Sequence, residues 1–171
     1  MIYCILTKPH HVEKIVNFLN EKTNIEYFIT SERYEIDAFD YDLGVSYCYP
    51  WIVNIESKEH KNVTWYNYHP APLPEYKGVH VYEKAVKNRI KKWGVSLHIM
   101  TNEIDSGEIL YVYDFNLDSP PVNTNEIGCI AHYKLFQLFK DTIEHLQFKP
   151  KNKHQLIGYL KKGRNNYGGK N

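Results

Sequence analysis

The chain has 171 residues and a mass of 20.3 kDa, enough for one domain that buries a substantial core. Its 21 basic and 20 acidic residues leave a formal charge of +1, which excludes a global electrostatic drive towards nucleic acid or an anionic membrane. No apolar run reaches the about 18 residues that a spanning helix needs, so neither a membrane nor a nucleic-acid partner is expected.

The opening "MIYCILTKPHH" shows no basic leader before a long apolar segment, so a cytoplasmic protein without a secretory signal is expected. Cys4, Cys48 and Cys129 are odd in number, far apart and set in apolar surroundings, and they read as buried, reduced thiols. In chain order, "IYCILT" (2–7) is a short apolar strand. A helix follows, with Val12, Ile15, Val16 and Leu19 at helical spacing. "IEYFIT" (25–30) and "DLGVSYCY" (42–49) read as further strands. These strands are too apolar to alternate, which points to a parallel sheet covered by helices. A strand at 63–68, a helix at about 79–89 and strands at 93–101 and 108–117 come next. From 124 to 148 the apolar positions Ile127, Ile130, Leu135, Leu138, Phe139, Ile143 and Leu146 fall on one side of a long helix, with Thr124 as its N-cap. One α/β domain over 1–150, followed by a basic Gly/Asn-rich tail at 151–171, accounts for this order.

The stretch "NYHPAPLPEYKG" (67–78) breaks the strand before it with Pro70, Pro72 and Pro74, and closes on Gly78. A strand that ends inside a parallel sheet delivers its last side chains to the edge where α/β proteins bind ligands. Asn67 and His69 are two apart, so on an extended chain they point the same way. The proline after His69 restricts it to extended geometry and fixes the direction of the imidazole. An amide and an imidazole on one rigid edge suit holding a carbonyl oxygen and moving a proton. A capped strand with a locally bonded histidine reads equally well from spacing alone. Asp105, in "NEIDSGEIL", sits in a turn-like connection between two strands, where Asp-Ser-Gly is ordinary turn chemistry. His98 reads as a satisfied residue within its strand. His10 and His11 carry no carboxylate spacing that suggests a metal, and no Cys/His metal set, GxGxxG or phosphate loop is present.

Taken together, "NYHPAPLPEYKG" and "GVSLHIMTNEIDSGEIL" resemble the folate-dependent formyltransferase family. The first matches an Asn-x-His-Pro-x-x-Leu-Pro…Gly pattern and the second a Gly-Val-Thr-x-His…Asp-x-Gly-x-Ile pattern. "DLGVSYCYPWIVN" looks like the strand and folate loop just upstream, and the match spans roughly 40 to 117. The resemblance implies a Rossmann-like α/β fold: a mainly parallel twisted sheet with helices on both faces. It implies a catalytic set of Asn67, His69 and Asp105, converging at the C-terminal edge of neighbouring strands. It also implies N10-formyltetrahydrofolate as cosubstrate, with no metal, held by Trp51, Ile52, Val53, Thr101 and Asp105.

Departures from the family narrow the expected acceptor. "LTKPHHVEK" lacks the Gly-rich Ser-Asn stretch of glycinamide ribonucleotide transformylase, and the N-terminal half looks one βα unit short. Methionyl-tRNA formyltransferases carry a large second domain for tRNA, which a chain of this length and charge is not expected to supply. "VSYCYPWIV" and "HPAPLPEYKG" resemble the corresponding stretches of the nucleotide-sugar N-formyltransferases. The expected acceptor is therefore a nucleoside-diphosphate-linked amino sugar, a 4-amino-4,6-dideoxyhexose. Lys8 and Lys77 are the expected diphosphate contacts, Tyr76 is the apolar wall for the sugar's methyl group, and a homodimer is a candidate assembly. Phosphoribosylglycinamide formylation and folate binding without catalysis are the alternatives.

Overall fold

A computed structural model describes residues 1–33, 40–55 and 62–167, the side chains of 162–167 excepted. Its strands are β1 (Ile2–Thr7), β2 (Glu26–Thr30), β3 (Leu43–Tyr47), β4 (Thr64–His69), β5 (Lys92–Ile99) and β6 (Ile109–Asn116). The helices are α1 (Pro9–Lys22), α2 (Val81–Lys87), α3 (Thr124–Thr142) and α4 (Lys153–Tyr167), with a 3-10 segment at Ile143–Phe148 between the last two. The strands form one sheet in the order β2-β1-β3-β4-β5-β6. β1 pairs in parallel with β2 and β3, and β3 with β4, whereas β5 and β6 run antiparallel. The α/β class and the predominantly parallel sheet are those the sequence implies.

Alternation along the strands divides the core. Tyr3 and Ile5, Val45 and Tyr47, and Tyr66 and Tyr68 face the larger cluster, into which α1 sends Ile15 and Leu19, α2 Val81 and Ala85, and α3 Ile127, Leu135 and Phe139. Phe139 lies 5.5 Å from the Tyr47 ring and 5.2 Å from the Tyr68 ring, so the long helix is docked directly on the middle of the sheet. Cys4, Leu6, Val53 and Trp65 form a smaller cluster on the opposite face, flanked by Tyr41, Tyr49, Val63 and Met100. The helices are thus unevenly shared: among the described residues they pack on the first face, and loop residues cover the second.

Several local details differ from the sequence reading. Asn123, and not Thr124, caps α3: it is extended (φ −154°) and its Oδ1 accepts from the Glu126 N–H at 2.9 Å. Glu126 Oε2 returns the favour to the Val122 N–H at 2.8 Å, so Asn123 and Glu126 were the legible pair. The helix tightens into 3-10 geometry after Thr142, whose hydroxyl donates to the Leu138 carbonyl at 2.6 Å. The basic stretch after 150 contains α4, and its Leu156 is fully buried in the larger cluster. Cys4 is buried as expected, but Cys48 is only partly buried and Cys129, on α3, is exposed. Its neighbour Gly128 takes the inward position on that helix instead. No helix among the described residues is long and apolar enough to cross a membrane.

Two glycines give a direct test of this packing. A Cβ at Gly44 would occupy the six-membered ring of buried Trp65, whereas one at Gly158 in α4 meets nothing within 4 Å. Gly44→Ala is expected to lower stability by about 1–3 kcal/mol through overpacking. Gly158→Ala should raise it by about 0.4–1 kcal/mol through the unfolded chain's lost entropy. Urea unfolding with unchanged m-values would read both.

Candidate active site

β4 presents two chemically distinct faces. Tyr66 and Tyr68 point into the core, where the Tyr66 hydroxyl donates to the Pro150 carbonyl at 3.3 Å. The Tyr68 hydroxyl lies 2.8 Å from Thr142 Oγ1 and donates to it, because that oxygen's own proton is given to Leu138. Asn67 and His69 therefore point away from the core together. Antiparallel pairing sets His98 beside Asn67 and Ser96 beside His69. The proline segment after His69 is tied down by β5: Ser96 Oγ accepts from the Leu73 N–H at 2.9 Å and donates to the Ala71 carbonyl at 2.8 Å. Trp93 Nε1 donates to the Pro70 carbonyl at 3.1 Å, and the Tyr76 ring packs against Trp93 with centroids 4.6 Å apart. The Leu73–Pro74 peptide bond is cis.

Asp105 arrives by a different route from the one expected. Because β5 runs antiparallel to β4, the chain leaves it beside Trp65 and Tyr66, at the far end from His69. The 100–108 connection then folds back across the sheet face. Gly107 permits that return, since a Cβ there would collide with the Ile99 carbonyl. Asn67, His69 and Asp105 do converge, but Asp105 is carried over the sheet face by a loop and does not extend from the end of a neighbouring strand.

The side chain of Asp105 is 9% exposed, and polar groups of three segments approach its carboxylate. Oδ1 accepts from Asn67 Nδ2 at 3.3 Å, and Oδ2 accepts from the Gly78 N–H at 2.9 Å. Oδ2 lies 3.4 Å from His69 Nδ1, and Oδ1 lies 3.4 Å from His98 Nε2. Gly78 reaches Asp105 from a left-handed conformation (φ 77°) that suits glycine. Burial pushes the Asp105 carboxyl up, but the nearby His98 and His69 imidazoles and the Gly78 N–H together hold it below its ordinary value. Burial also pulls the His69 imidazole below its ordinary range, against the opposing pull of Asp105 and of the Tyr76 carbonyl. His69 is thus neutral at pH 7. Its Nε2 donates to the Tyr76 carbonyl at 2.7 Å, leaving the Nδ1 lone pair towards Asp105.

His98 was not among the expected site residues, although its place in the strand beside Asn67 is a matter of pairing. Its Nδ1 lies 2.9 Å from the Ile99 carbonyl, which only accepts, so Nδ1 carries the proton and Nε2 accepts from Asn67 Nδ2 at 3.1 Å. Both Asn67 amide protons are therefore held, one by His98 and one by Asp105.

These groups open onto a cavity of about 560 Å³. Its walls include Asn67, His69, His98 and Asp105, and also Trp51, Ile52, Val53 and Thr101, the four expected at a folate pocket. Lys8 lines it as well. Tyr76 and Lys77 do not: the Tyr76 ring is spent on Trp93, and Lys77 Nζ donates to Ser106 Oγ at 3.1 Å, which joins the proline segment to the 100–108 loop. Trp51 and Ile52 are 50% and 74% exposed, so the rim is apolar and open. The arrangement pairs an acceptor imidazole with a carboxylate and an amide at one end of an apolar cavity, which suits proton movement at a carbonyl centre.

The chain is similar to several known proteins. A methionyl-tRNA formyltransferase from Pseudothermotoga lettingae is 26% identical over 126 residues, covering 69% of this chain and 42% of its own. The phosphoribosylglycinamide formyltransferase of Escherichia coli is 31% identical over 77 residues, covering 45% of this chain and 36% of its own. The chain therefore spans less than half the length of these curated relatives. Among solved structures, the N-formyltransferase of Helicobacter canadensis in complex with folinic acid and dTDP-3-aminofucose superposes with a TM-score of 0.67 at 21% identity, over 87% of this chain and 65% of that one. The family model described as formyl transferase matches residues 14–124, well over half of the chain. With the fold, the convergent site and that match in agreement, the chain belongs to the formyl transferase family.

Proposed function

We propose that this protein transfers a formyl group from N10-formyltetrahydrofolate to the amine of a nucleotide-linked amino sugar. The observation that carries the reading is the assembly of Asn67, neutral His69 and ionised Asp105 at one end of a cavity whose other walls hold Trp51, Ile52, Val53 and Thr101. A bound folate supplies an activated formyl carbon. An attacking amine must lose a proton, and His69 is built to receive one: protonation at Nδ1 turns the 3.4 Å approach to Asp105 into an ion pair, while Nε2 keeps its bond to the Tyr76 carbonyl. His69 would return that proton to the nitrogen of the formyl donor as the bond between that nitrogen and the formyl carbon breaks. Asn67 donates to the developing oxyanion by releasing Asp105, the longer of its two contacts.

The sugar acceptor rests on the sequence motifs, on Lys8 at the cavity and on the likeness to a structure holding a nucleotide amino sugar. Val79 and Tyr82, which line the cavity, replace Tyr76 as the apolar wall for the sugar in this reading. The likeness to the Escherichia coli phosphoribosylglycinamide enzyme favours glycinamide ribonucleotide as the second acceptor to try. Equilibrium titration decides between them. A nucleotide-linked 4-amino-4,6-dideoxyhexose should bind at least about tenfold more tightly than glycinamide ribonucleotide, a difference of about 1.4 kcal/mol. The reverse order, with formyl transfer to glycinamide ribonucleotide, overturns the sugar assignment. Folate binding with no transfer to either amine would make the protein a binder and overturn the catalytic reading.

His69→Asn and Asp105→Asn are expected to fold normally and to lose at least about a hundredfold in turnover, the scale of a lost acid/base group. The pH profile follows from the charges. The working form has His69 unprotonated, so kcat/KM should fall as pH drops through an imidazole pKa below 6.5. Asp105 raises that pKa, so the residual activity of Asp105→Asn should keep its acid limb at a still lower pH. A limb above 6.5, or one that moves upward in the variant, contradicts this electrostatic account.

A further inference from the structure

A second group of side chains, outside the Asp105 network, stands where β1 and β3 end, and two of its members line the same cavity. The chain order reverses across the sheet at β1, with β2 on one side and β3 on the other, so the C-terminal ends of β1 and β3 frame a crevice of the kind that holds ligands in α/β sheets. Thr7 Oγ1 donates to the Tyr47 carbonyl at 2.8 Å and pins those two ends together. Directly after them stand His11, in the first turn of α1, and Cys48, which takes a left-handed conformation (φ 53°). His132 reaches the same point from α3. Each of the three offers one ligand atom, and these atoms lie within 4.8 Å of one another.

Protein contacts alone leave this group poorly satisfied. Cys48 Sγ is 3.9 Å from His132 Nδ1, the length of a weak thiol hydrogen bond. His11 is 4% exposed, yet its Nε2 has no partner. The hydroxyls of Tyr47 and Tyr82 are buried without partners as well, and their rings flank the group: Tyr47 lies 5.3 Å from the His11 ring and Tyr82 lies 6.2 Å from His132. Orphaned buried polar atoms are uncommon, and their gathering at one point calls for a missing partner. Two imidazoles and one thiolate form a set that borderline-soft divalent metals accept in tetrahedral geometry.

We propose that His11, Cys48 and His132 bind one Zn²⁺ ion, with a fourth position open to the cavity that Cys48 and His132 line. Ligation requires both imidazoles to be neutral, and Lys14 lies near both. Lys8 and Lys14 lie near the Cys48 thiol, and ligation removes its proton outright. The two lysines oppose a cation and the thiolate offsets part of their charge. The net positive centre then favours an anionic or oxygen-donor fourth ligand. The residues are far apart in sequence, Cys48 and His132 by 84 positions, which is why no spacing motif announced them.

Cobalt substitution of the full chain, after chelator treatment, tests the site. One equivalent of Co²⁺ should produce a thiolate-to-metal charge-transfer band together with visible bands of tetrahedral strength, and Zn²⁺ should displace it. Cys48→Ser should abolish the charge-transfer band, while Cys129→Ser, at an exposed thiol, should retain it. His132→Gln should weaken binding by more than the about 10–100-fold that outer-sphere losses cost. Zn²⁺ should raise the Tm of the wild-type chain and leave that of Cys48→Ser unchanged. The proposal is overturned by the absence of a charge-transfer band in the wild type, or by its persistence in Cys48→Ser. It is equally overturned if inorganic phosphate, and not the metal, raises the wild-type Tm, since the group would then be an anion site.

Discussion

A carboxylate that is nearly closed off from water has to find donors, and in this protein the search organises the whole site. Asp105 takes the Gly78 N–H from the proline segment and an amide proton from β4, and it lies 3.4 Å from an imidazole nitrogen of each of His69 and His98. Removing any one donor leaves a buried charge under-compensated, which costs far more than an exposed pair would. The proline segment, the end of β4 and the 100–108 loop are therefore mutually dependent. Lys77 reinforces the same junction through Ser106, at the surface, where the contribution is small.

The rigidity of that junction comes from the other face of the sheet. Tyr66 and Tyr68 are fully buried and hydrogen-bonded through their hydroxyls, which fixes the rotation of β4 about its own axis. With a side-chain period of two, fixing the tyrosines fixes Asn67 and His69. Phe139 supports both Tyr47 and Tyr68, so α3 stabilises the site without contributing a group to the Asp105 network. The proline segment contributes a carbonyl: Tyr76 was expected to act through its ring, and it acts on His69 through its backbone oxygen.

Features carried by local chemistry were legible in the sequence. β1 to β6 and α1 to α3 follow from runs of apolar residues and their periods, and the shared direction of Asn67 and His69 follows from their spacing and from Pro70. Features that depend on pairing were not. Whether β5 runs parallel or antiparallel to β4 is decided by chain reversal through 70–91, and that direction sets the path by which Asp105 arrives. The part played by His98 is equally a product of register, since nothing in "SLHIM" marks it as the neighbour of Asn67. α4 was hidden by its basic composition, because one buried leucine, Leu156, is a weak periodic signal. The competition between Asn123 and Thr124 was decided by Glu126, three residues beyond the asparagine.

Two sets of residues line or adjoin the cavity, one carried by the antiparallel pair β4 and β5 with their loops, the other following the parallel strands β1 and β3. On one side stand Asn67, His69, His98 and Asp105, locked by pairing, by the proline segment and by a buried charge. On the other stand Lys8 after β1, His11 in the first turn of α1 and Cys48 after β3, the last of them 3.9 Å from His132 of α3. A lineage can rewrite the second set by substitution within two short loops without disturbing a hydrogen bond of the first. Such a scaffold inherits its proton-handling set nearly unchanged while the other set drifts. Related chains are then expected to agree at Asn67, His69 and Asp105 and to diverge at "KPHH", and divergence there would mark a change of what enters the cavity, with the reaction itself preserved.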